Sequence, residues 1–64
     1  MKRRKLIRYL ERSGCQFIRE GAAHTIYGNP PKRLKAPVPR HPEISPNIVR
    51  KICRELDIPF PSEK

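Results

Sequence analysis

An α+β fold is predicted: helix, three strands, helix, with a three-stranded antiparallel sheet carrying both helices on one face. Three observations predict it. Apolar residues recur at helical spacing near both ends of the chain, they alternate with period two in between, and Gly21 and Pro30-Pro31 interrupt the alternation. At 64 residues the chain has room for one core only. Laying two helices on one side of a small sheet is the simplest way to bury these patterns. One domain over residues 1–64 is therefore expected.

The first helix is expected over about 3–13, because Leu6, Ile7 and Leu10 fall within one arc while Arg4, Arg8, Glu11 and Arg12 lie elsewhere. Gly14 suits the position just past its end. Lys2 and Arg3 are poor caps whose charge opposes the helix dipole, so fraying is expected at the first turn. A strand is expected over about 15–20, with Cys15 and Phe17 on one face and Gln16 and Ile18 on the other. After a turn at Gly21, a second strand over about 23–27 completes a hairpin and stops at Asn29-Pro30-Pro31. The third, over about 34–38, puts Leu34, Ala36 and Val38 on one face, and Pro37 marks it as an edge. The second helix spans about 46–57: Ser45 is a good N-cap, Pro46 suits the first helical position, and Ile48, Val49, Ile52, Cys53 and Leu56 share an arc. Pro59 bars continuation, and the last few residues are expected to be loose. The expected core is Leu6, Ile7, Leu10, Phe17, Ile26, Val38, Ile48, Val49, Ile52 and Leu56.

Fifteen Lys and Arg against six Asp and Glu give a net charge of +9, which points to a polyanionic partner. The excess is lopsided: residues 1–13 hold six bases and one acid, residues 32–40 hold Lys32, Arg33, Lys35 and Arg40 with no acid, and the remainder balances. Lopsided charge favours phosphate binding over mere solubility, and Arg3, Arg4 and Arg8 extend the candidate track. Aromatic residues are too few for a base-stacking platform. No apolar run is long enough for a membrane span and no secretory signal pattern follows the basic start. Cys15 and Cys53 lie too far apart for a CxxC motif and make no disulfide scaffold, which suits a reducing, cytoplasmic setting.

Reactive groups are few. The two Cys and two His lack zinc-module spacing, so no metal is expected, and a thiol on a core face is a poor nucleophile. No pair of carboxylates in the strand region is placed to hold Mg²⁺. Histidine remains. RNA carries its own nucleophile, the ribose 2′-hydroxyl, so a cleaving enzyme need only remove that proton, hold the phosphate and protonate the leaving oxygen. His24, at the start of the second strand, can supply proton transfer in a cationic field. The bland alternative is an ordinary rim histidine. Alternation pairs His24 with Ile26, and if Thr25 and Tyr27 face inward instead, His24 faces fully outward. His41, just before the second helix, is an auxiliary candidate as general acid or phosphate contact, against the plainer reading of a loop histidine between prolines.

The chain resembles the HicA family of small mRNA-cleaving toxins over roughly Lys2 to Ile58. The resemblance is carried by the opening Lys-Arg-Arg-Lys-Leu-Ile-Arg-Tyr-Leu, Gly14-Cys15, Arg19-Glu20-Gly21, and His24-Thr25-Ile26-Tyr27. It continues through Asn29-Pro30, Val38-Pro39-Arg40-His41-Pro42-Glu43-Ile44 and Arg50-Lys51-Ile52-Cys53-Arg54-Glu55-Leu56. It implies a double-stranded-RNA-binding-domain-like fold, metal-independent mRNA cleavage without a cofactor, and one catalytic histidine after the turn, here His24. It also implies a HicB-type antitoxin that covers the site, with the toxin monomeric alone and in a higher-order assembly with its partner. Family members often carry Gly, Ser or Asn before the histidine, where this chain has Ala22-Ala23.

The reading is therefore a metal-independent endoribonuclease toxin of a type II toxin–antitoxin system. Lys32, Arg33, Lys35 and Arg40 hold the RNA backbone in this reading. Its main rival is a non-catalytic RNA-binding module of the same fold, binding duplex by shape. A basic DNA-binding protein lacks a recognition helix pattern here. An inactive relative kept as an antitoxin-binding partner would copurify with an acidic neighbour and cleave nothing.

Overall fold

The computed structural model describes residues 1–61. The order is α1 (Arg3–Arg12), β1 (Gln16–Glu20), β2 (His24–Asn29), a 3₁₀ turn over Pro30–Lys32, β3 (Leu34–Pro39) and α2 (Pro46–Leu56). The strands form one antiparallel sheet in the order β1-β2-β3. The α+β class, the element order and the antiparallel sheet agree with the sequence. The tail expected to be loose includes Ser62, Glu63 and Lys64, which lie outside the described residues.

Burial alternates along β3 and from His24 to Tyr27 of β2, and it decides which face carries the helices. Thr25, Tyr27 and Asn29 are buried, as are Ala36 and Val38, and they join Leu6 and Leu10 of α1 with Val49, Ile52, Cys53 and Leu56 of α2. Pairing of Thr25 with Val38 and Tyr27 with Ala36 puts these strand residues on one face. His24, opposite Pro39, and Ile26, opposite Pro37, occupy the other face.

That choice corrects the expected core. Ile26 is only half-buried, on the uncovered face. Phe17 keeps the inner side but sits on an edge strand, so it remains 52% exposed, edge-on to Tyr27 with ring centroids 6.1 Å apart. Ile48 lies at the margin of its helix's apolar arc, 37% exposed, and Ile7 is partly buried. Their places are taken by Cys15, Tyr27, Ala36 and Cys53, smaller or more amphipathic side chains that the pattern undervalues, and by Ile44, which lies in the loop before α2 outside any periodic segment.

The helix ends are secured by neighbouring segments. The first turn of α1 is strapped where fraying was expected: Arg3 N–H donates to Pro42 O at 2.8 Å, Ile44 N–H to Met1 O at 2.8 Å, and Lys2 bridges Glu43. Gly14 takes φ +93°, as expected for the residue that turns the chain out of α1. Ser45 is the N-cap of α2, but its hydroxyl makes no capping bond. At the other end Asp57 adopts φ 56°, and Asn29 Nδ2 donates to Leu56 O at 2.7 Å, satisfying a carbonyl the helix leaves orphaned.

Candidate active site and nucleic-acid interface

The β1–β2 turn presents His24, and it is held from three sides. Gly21 N–H donates to His24 O at 2.7 Å, closing the turn. A Cβ on Gly21 would lie 3.0 Å from that same oxygen, so the close approach favours glycine. Arg40, arriving from the end of β3, then clamps the turn. Its Nη2 donates to Gly21 O at 2.5 Å, His24 O at 3.2 Å and Glu20 Oε1 at 2.7 Å, and its Nη1 donates to Ala22 O at 3.3 Å. From beneath, Arg3 Nε donates to Pro39 O at 2.8 Å, and Arg3 Nη2 donates to Thr25 Oγ1 at 2.9 Å. Thr25 in turn donates to Glu20 Oε1 at 2.9 Å.

Arg40 and Thr25 together hold the Glu20 carboxyl below the usual glutamate range, with the Arg40 hydrogen bond as the larger cause. The result is a fixed backbone under an exposed imidazole. His24 is exposed on the uncovered face, where the alternative reading of the β2 alternation put it.

The basic residues divide by what they do. Arg3 and Arg40, both expected to bind phosphate, spend guanidinium donors on the turn and its supports. Lys32 Nζ bonds Asp57 O at 2.9 Å and Asp57 Oδ2 at 3.0 Å at the end of α2. Lys35 stands opposite Gly28 and so shares His24's face of the sheet, exposed. Arg33, exposed and at φ 57°, lies at the bend into β3. Arg4 and Arg8 are exposed on α1, where Lys2, Arg3, Arg4 and Pro42 line a cleft of about 420 Å³. An adjoining cleft of about 250 Å³ is lined by Lys2, Arg4, Lys5 and Arg8. His41 is exposed in the loop before α2, next to Pro42.

Sequence reasoning missed the supporting set. Sequence pattern gives Glu20 and Thr25 no role and gives Arg3 and Arg40 no part in holding the turn. A carboxylate beside a glycine turn, with an arginine following a paired strand, is the one signal that could have suggested the clamp.

Both cysteines are buried, and burial pushes both thiols up, so they remain protonated and weakly nucleophilic. Among the described residues no three His, Cys, Asp or Glu are grouped to hold a metal ion, and no helix is long and apolar enough to cross a membrane.

A small basic α+β protein with an exposed histidine on a clamped turn is the class these observations define. A family model described as HicA toxin of bacterial toxin–antitoxin matches residues 3–58, and the chain belongs to that family. Membership makes it a toxin of a toxin–antitoxin system and implies a cognate antitoxin. No curated protein and no solved structure matches the chain.

Proposed function

We propose that this toxin is a metal-independent endoribonuclease that cleaves mRNA with His24 as its general acid/base. The exposed imidazole on a turn fixed by Arg40 carries the reading. As general base, His24 takes the proton of a ribose 2′-hydroxyl. The 2′-oxygen then bonds to the adjacent phosphorus, the bond from phosphorus to the 5′-oxygen breaks, and that oxygen is protonated from solvent or by the imidazolium. The fragments end in a 2′,3′-cyclic phosphate and a 5′-hydroxyl.

Lys35 and Arg33 hold the backbone beside the site, and Arg4 and Arg8 extend the track along α1. Lys32, Arg3 and Arg40 add positive field while serving the fold. His41 is an auxiliary phosphate contact. The helix–sheet order also supports a kinship with the double-stranded-RNA-binding fold. A HicB-type antitoxin would cover the uncovered sheet face, in the cytoplasm.

The test is cleavage of single-stranded and structured RNA by wild type and His24→Ala, each with EDTA. Wild-type cleavage in EDTA and a rate lower by about 10²–10⁴ in the variant is the expected result. Undiminished cleavage by the variant removes His24 from the chemistry, loss in EDTA removes the metal-free scheme, and RNA binding without cleavage leaves the non-catalytic module.

A further inference from the structure

We propose that Arg19 contacts the scissile phosphate at the His24 site, an assignment that rests on the ribonuclease reading and adds to it the group that holds the reacting centre. The argument begins with an irregularity in β1. Phe17 pairs with Tyr27, so strict alternation would pair Ile18 with Ile26 and Arg19 with Thr25, on the helix-covered face. Instead the register shifts between Phe17 and Arg19, and Arg19 pairs with Ile26. The extra residue of this bulge turns the guanidinium out to His24's face and leaves Glu20 opposite Thr25, where it bonds.

Arg19 then stands diagonally across from His24, about 7–8 Å between backbones, a separation that long side chains span. Its side chain leans toward the turn, with Nη1 3.7 Å from the Cβ position of Gly21. A phosphate fits between such a pair, and the planar guanidinium matches two of its oxygens. The alternatives on this face are poorer. The β3 neighbours are Pro39 and Pro37, Lys35 is two residue pairs beyond Ile26, and Arg40 is committed to the turn.

The measurements are kcat on a cleavable RNA and the salt dependence of binding to its 2′-O-methyl analogue, which cannot react. Arg19→Ala, Arg19→Lys and the control Arg54→Ala on α2 are compared, with thermal unfolding to check folding. Arg19→Ala should lower kcat by about 10²–10³. It should also flatten the log–log salt slope by about 0.7, one single-strand phosphate contact. Arg19→Lys should restore the slope and only part of kcat. Equal slopes for Arg19→Ala and Arg54→Ala would overturn the proposal. A flattened slope in a chain that never cleaves would uphold the phosphate contact and overturn the nuclease reading instead.

Discussion

On the helix-covered side of β2, Thr25, Tyr27 and Asn29 are buried, and among the described residues no buried side-chain polar atom lacks a partner. On the other side of the same strand, His24 is exposed, Ile26 is half-covered and Gly28 lies under the tip of Ile18. One face is packed against the helices, the other is left uncovered, and six consecutive residues serve both. The turn clamp joins them: Thr25 reaches Glu20 from the inner face, while Arg40 grips the carbonyl of the residue bearing the imidazole. Polar groups reaching across from the inner face thus bond the backbone that carries the exposed one.

The comparison breaks if the two faces cannot be separated by mutation. The largest expected effect is on the outer face. His24→Ala should cost about 10²–10⁴ in cleavage rate and leave the melting temperature nearly unchanged, since the side chain is exposed. On the inner face, Leu10→Ala should cost about 2–5 kcal/mol. In a chain this small, with total stability toward ~5 kcal/mol, that approaches complete unfolding in a urea titration. Any cleavage loss there should track the unfolded fraction.

Arg40→Ala tests the link between the faces. It removes several charge-assisted bonds at a partly exposed site, so a loss of about 1–2 kcal/mol is expected. Cleavage should fall a further ten- to hundredfold in the folded protein, because the backbone that carries the imidazole is no longer held in place. Unchanged kcat would show that the turn keeps its shape without the clamp.

The smallest effect is one of pH. The Glu20 carboxyl is held below its ordinary range, so its contribution to stability is fully present above the unfolded pKa and disappears as pH falls through the lowered folded value. Glu20→Gln should therefore be less stable than wild type at neutral pH, with the gap closing in acid. A gap that widens on acidification would remove the Arg40 and Thr25 bonds as its cause.

Much of the fold was legible because its signals are local. Pro46, Gly14 and the apolar arcs act within a few residues, and each structured boundary falls within two residues of its expected place. His24 was legible as the candidate acid/base, since few other side-chain types are suited to proton transfer near neutral pH, and the fold leaves it exposed. The facing of β2 was not, because both of its alternating sets contain a large apolar residue, Ile26 in one and Tyr27 in the other. The site's supports were hidden for another reason. Arg40 and Glu20 are 20 positions apart, and a pattern of period two or 3.6 carries no information about such a pairing.

The sequence by itself determined the elements, their order, the excess of positive charge and the histidine. Tertiary structure decided which side of the sheet the helices cover, which arginines are committed to the turn, and that a bulge at Ile18 sends Arg19 to the open face. The physical reason is that alternation specifies two faces without ranking them. The ranking came from burial against α1 and α2, and from bonds between residues that meet only once the chain has folded.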